Sequence, residues 1–335
     1  MLRTLLLIFG FAGGWFCPWL ASLKPLMALF LAYMLTVVFL RMTLTRQTLT
    51  ATHWRVLAVN LLFPPLLWQG MLLCGVPERF AQAAFFTAVT PTAAAAPVIV
   101  NLLGGSISFA TVGFLLSTLC MSAALPLLIP PVLHRPVWGA LPDFAAMSAP
   151  WWEQILLFFQ WLNAQPAGLI LGRVFFVTLL PMVIAILLRR KFGERARGWG
   201  QKLTSSTLYV WVGLVAIIAS SAAQSLKQHT AQFPASDVWW VVIIDILLCV
   251  VMFALGALLG APNHLRECSQ LLGQKNTSYT TYLAFACDAP FAALGPAFYV
   301  FFHNAWNGLQ LILHGNQQIG RTLVRRGLAR DARVD

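Results

Sequence analysis

The sequence predicts an all-α integral membrane protein of about ten transmembrane helices, built as two inverted five-helix repeats with two discontinuous helices that cross. Three observations predict it. Of 335 residues, 59% are hydrophobic and 10% charged, with a mean hydropathy of +0.76, a balance that fits membrane spans and no ordinary soluble domain. Apolar runs near the ~20 residues that cross a bilayer recur along the chain. Two of these runs carry helix-breaking blocks, Thr90–Pro97 and Leu272–Ser278, and irregular backbone at membrane depth is tolerated only where protein buries it or where it lines a wet cavity.

Taken in order, residues 1–133 read as the first five-helix repeat. Leu5 to Leu20 is either a signal peptide or a short first span; Trp15, Pro18 and Trp19 crowd the place of a small-residue cleavage site, which favours the span. Pro25 to Leu40 is the second span, and the polar segment Arg41 to Arg55 closes the pair. Val56 to Val76 is the third, interrupted by Pro64 and Pro65, with Asn60 one turn before them as an amide suited to a cavity. Phe80 to Asn101 is the fourth, broken where Pro91 and Pro97 remove backbone donors. Gly104-Gly105-Ser106 makes a tight connection to the fifth, Ile107 to Leu133.

Residues 134–164 form a connecting segment, polar through Asp143, whose stretch Trp151 to Trp161 is too short to span and reads as an interfacial helix anchored by tryptophan. Residues 165–313 hold the second repeat: Ala167 to Leu188, Leu203 to Gln224, Val238 to Ala261, the broken segment Glu267 to Cys287, and Phe291 to Leu313. An odd number of spans per half inverts the second half, and both broken segments then fall fourth in their halves, a transporter signature. Residues 314–335 form a basic tail.

The net charge of +12 is topogenic rather than a sign of nucleic-acid binding. With both termini in the cytoplasm, 16 of the 22 basic residues fall inside and five outside, including Arg173, which reads as a snorkelling side chain; Lys275 is left at membrane depth. The Arg189-Arg190-Lys191 run and the tail also suit anionic membrane lipid. The expected location is a plasma membrane of the bacterial inner kind. Six cysteines without paired spacing suggest packing residues, with no disulfide frame, metal site or cofactor.

Intramembrane polar groups mark the candidate site. Two broken helices meeting near the midplane bring together partly positive helix N-termini, which favour anions, and freed carbonyls, which favour cations. Asn60, Thr92, Gln274, Lys275, Asn276 and Thr277 are the expected substrate-binding groups, and Lys275, Asp245, Asp288 and His303 the expected charge-handling ones. Freed carbonyls, Asn60 and either carboxylate are potential partners for Lys275, and His303 reads as a proton shuttle or a hydrogen-bonded packing residue. A bland alternative is that Lys275 snorkels from a shifted helix end.

The chain resembles the bile acid:sodium symporter family over nearly its whole length. The resemblance rests on Thr90-Pro91 through Leu103-Gly104-Gly105 with Ser117-Thr118 and Pro126 downstream, and on Glu267-Cys268, Gly273, Asn276 and Leu283-Ala284, ending in His303-Asn304 and Gly308. It implies a ten-helix inverted-repeat fold with a core and a panel domain that moves organic anions with sodium. The sequence departs from that pattern where sodium is bound: the family's Ser-Asn pair becomes Ala96-Pro97, its hydroxyls on the fifth helix fall on Ala110 and Phe114, and its carboxylate in the second crossing becomes Leu271. Hard oxygen ligands have mostly gone. The expectation is a secondary transporter of a small or amphipathic organic anion, sodium-independent, as a uniporter or coupled to protons, with Lys275 in the place of a sodium ion. The alternatives are a membrane-embedded sensor, an enzyme, or a sodium symporter with altered ligands; the short loops hold no acid–base cluster for catalysis.

Overall fold

The computed structural model describes residues 2–41, 49–139, 150–228 and 234–331, and these form an all-α protein with one isolated β-bridge. The helices are α1 (Leu2–Phe16), α2 (Leu26–Arg41), α3 (Ala51–Leu73), α4 (Glu78–Ala88), α5 (Ala96–Leu102), α6 (Ile107–Val132), α7 (Trp151–Ala164), α8 (Pro166–Val174), α9 (Leu180–Phe192), α10 (Glu194–Lys202), α11 (Thr204–Gln228), α12 (Ala235–Gly260), α13 (Leu265–Gly273), α14 (Thr277–Ala286) and α15 (Leu294–Asp331). A π-helical turn, Phe175–Leu179, joins α8 to α9 without a break in the helical path. Five helical segments among the described residues are long and apolar enough to cross a membrane: α3, α6, α8 with α9, α11 and α12. The chain is a helical membrane protein. The polar connections around Arg46 and Asp143 and the side chains of the basic tail lie outside the described residues.

Two expectations about prolines are corrected. Helix α3 is not interrupted: it runs through Pro64 and Pro65. Those residues withhold the N–H groups that the carbonyls of Asn60 and Leu61 would accept, a local loss that long helical flanks absorb inside a protein-packed span. The first apolar run, by contrast, is not one helix. It ends at Phe16, and a 3₁₀ segment, Pro18–Leu23, follows, because Pro18 cannot continue the α-helical ladder.

The helices pack in two groups, each drawing on both halves of the sequence. One group gathers α1, α2 and α9–α11; the other gathers α3–α6 and α12–α15, with α8 bridging to α6. Small residues set the closest approaches. A Cβ on Gly256 of α12 would stand 2.7 Å from the Ser269 Cα of α13, so this pair meets backbone to backbone. One buried apolar cluster runs from Met27 and Leu31 on α2 through Phe85, Phe114 and Met121 to Leu271 and Tyr299, and a smaller one joins Phe80, Val241 and Phe291.

Candidate functional site

Both breaks fall where the sequence places them, and they meet. Helix α4 gives way after Ala88 and α5 begins at Ala96; α13 stops at Gly273 and α14 begins at Thr277. The two interruptions lie antiparallel, with Thr92 bridged to Lys275. Ala93 N–H donates to the Gln274 carbonyl at 2.8 Å and Asn276 N–H to the Pro91 carbonyl at 2.9 Å. Backbone groups freed by the breaks must be satisfied inside a membrane, and the neighbours do it. Thr92 N–H donates to Ser117 Oγ (3.0 Å), Thr92 Oγ1 to the Leu271 carbonyl (2.6 Å), and Tyr299 OH to the Gly273 carbonyl (2.8 Å). Thr90 and Thr280 share a hydroxyl contact at 2.6 Å.

Lys275 sits at this junction, 1% exposed, and its ammonium donates to Asn60 Oδ1 at 2.7 Å. An ammonium carries three donors, and among the described residues Asn60 is its one hydrogen-bonding side chain. A cavity of about 250 Å³ reaches the crossing from the end of α2 and the start of α11, somewhat below the 300–1,000 Å³ typical of drug-sized ligand sites. Its floor is Gln274, Lys275, Asn276, Thr277 and Ser278; its walls are Leu31, Met34, Leu35 and Val38 of α2 with Leu208 and Trp211 of α11; Arg41, exposed at its mouth, and His303 complete the titratable lining. The first turn of α14 has no side-chain cap, so its N–H groups at Thr277 and Ser278 present partial positive charge to the cavity. Beyond the crossing, further along α14, lies a small void of about 10 Å³, bounded by Phe11, Val215, Ile218, Thr281 and Ala297 and sharing Thr277, Ser278 and Val300 with the cavity. That is room for about one water.

The structure sorts the expected residues. Gln274, Lys275, Asn276, Thr277 and His303 line the cavity. Asn60 and Thr92 stand behind it, wholly buried, the first holding the ammonium and the second pinning α13. Neither carboxylate pairs with Lys275. Asp245 is buried on α12 and accepts from Thr87 Oγ1 at 3.1 Å, while Asp288 is exposed in the turn beyond the other end of α14. The Arg173 guanidinium bonds the Ala286 carbonyl at the C-terminal end of α14, where unsatisfied carbonyls carry negative charge. His303 is buried, its ring edge-on to Tyr299, and its Nδ1 has no hydrogen-bond partner among the described residues. The apolar walls on α2 and α11 and the cation at Arg41 are not marked in the sequence, because both helices read as ordinary spans.

Sodium does not fit the positions where the family resemblance expects it. Leu271 and Phe114 belong to the apolar core, Ala110 is fully buried, and neither Ala96 nor Pro97 carries a side-chain oxygen. A hard cation needs oxygens there. Lys275 lies one turn beyond Leu271 in the second crossing. No protein-family model matches the chain, and neither does any curated protein.

Proposed function

We propose that the protein is a secondary transporter that carries a small organic anion across the membrane by alternating access, without sodium. The observation that carries this reading is Lys275, a buried ammonium at the meeting of two broken helices, on the floor of a cavity whose remaining charged lining is also cationic. An anionic head group fits between that ammonium and the uncapped first turn of α14, with an apolar body against α2 and α11. The resemblance to bile acid:sodium symporters supports the same class of cargo. In this reading the chain folds as two inverted repeats of five spans, the broken helices are fourth in each, and both termini face the cytoplasm of a bacterial plasma membrane. Lys275 takes over the electrostatic task of a sodium ion.

Purified protein in proteoliposomes tests it against a panel of radiolabelled carboxylates. Uptake of at least one acid persists when choline replaces sodium, and Lys275→Gln impairs it with sodium present. Strict sodium dependence, or competition only by cations and neutral solutes, overturns the proposal.

A further inference from the structure

The neighbours of Lys275 leave its charge without a counter-charge from the protein. From α3 it meets the neutral amide of Asn60, and from the first crossing the backbone of Thr92. On α15 the nearest titratable cavity group is His303, which supplies no negative charge. Asp245 is turned to Thr87 on α4, Glu267 accepts from Ser106 N–H, and Asp288 is exposed beyond α14. The ion pairs Arg79 with Asp237, His134 with Glu78 and Arg197 with Glu194 lie elsewhere.

Resting on the transporter reading above, we propose that the protein is an anion exchanger: its site changes sides only while a bound anion neutralises Lys275. In the conformation described, Lys275, itself 1% exposed, lies on the floor of a cavity with room for water, and the wet space lowers the cost of its charge there. To change sides the cavity must close before the far side opens. That passage removes the water, and an unpaired charge held away from water is strongly unfavourable. A carboxylate bound to the two unused donors of Lys275 makes the site neutral, and the closed intermediate is then accessible. Having released its anion, the carrier is held on that side until another anion binds, so outward and inward movements are coupled one for one.

Thr281 provides a reporter that does not depend on the identity of the cargo. It is fully buried in the small void beyond the crossing, on the side away from the cavity mouth, and its hydroxyl serves only the local Thr277 carbonyl. In a background with the native cysteines replaced, Thr281→Cys is labelled by a charged thiol reagent only when that side opens. In detergent without added carboxylate, labelling is slow with Lys275, equally slow with Lys275→Arg, and faster by on the order of tenfold or more with Lys275→Gln. Thermal melting of each variant verifies the fold. Equal labelling of all three overturns the charge lock.

The flux arm uses benzoate, lactate and hexanoate in proteoliposomes. Expected is rapid uptake into vesicles preloaded with the same unlabelled acid and at least tenfold slower uptake into vesicles without it. Equal rates, or accumulation in unloaded vesicles driven by a pH gradient, overturn exchange. Uptake of none of the acids under either condition, with the labelling difference intact, overturns the transporter reading on which the inference rests and leaves the charge lock standing.

Discussion

Replacing Asn60 by leucine is the sharpest test of how Lys275 is held. The bond from Lys275 Nζ to Asn60 Oδ1 is 2.7 Å long and both residues are buried, at 1% and 0% exposure. Neutral side-chain hydrogen bonds between membrane helices average only about 0.6 kcal/mol. A bond to a charged donor contributes about 1.5–3 kcal/mol, and its loss also strands the charge. Asn60→Leu, similar in volume, therefore costs about 2–3 kcal/mol. Lys275→Met removes the charge and the desolvation penalty together, so it changes stability by less than about 1 kcal/mol in either direction. The double variant should be no less stable than Lys275→Met alone, giving a coupling of about 2 kcal/mol. Reversible unfolding in mixed micelles measures all four corners of the cycle. Additive losses would refute the reasoning, since they would mean that the lysine never depended on the amide.

Two further outcomes follow from the same geometry. Thr92→Val keeps the shape of the side chain but removes the 2.6 Å bond to the Leu271 carbonyl; the unfolding midpoint should fall by the equivalent of about 1–2 kcal/mol, while the affinity for any transported acid changes little, because Thr92 stands behind the cavity. A cysteine introduced into the tail at Arg321–Asp335 should resist a membrane-impermeant reagent in intact cells and react once they are opened; reaction in intact cells rejects the proposed orientation.

The position of each break is legible in the sequence because a break is a property of the chain itself. Pro91 and Pro97 have no N–H wherever they are placed, and the Gly273–Ser278 stretch interrupts an apolar run whatever packs beside it. The same one-dimensional logic overreads Pro64 and Pro65. Proline removes individual bonds, and whether a helix survives that loss depends on what packs around it. Asn60 stands out in the sequence for a related reason, since a polar side chain at membrane depth needs a partner, but the fold sets it behind the cavity instead of in its wall.

Which groups meet was decided by the tertiary structure. The sequence offers Asn60, Asp245 and Asp288 as partners for Lys275, and charge alone favours either carboxylate over the amide. The fold turns Asp245 to Thr87, leaves Asp288 outside, and delivers Asn60 instead. It also closes the cavity with α2 and α11, whose lining residues look like those of any other span. Hydrophobic length and the lack of a proline donor act within a single segment and can be counted along it. Counter-charge and cavity walls depend on distances between segments remote in sequence, and those distances are set only when the helices pack.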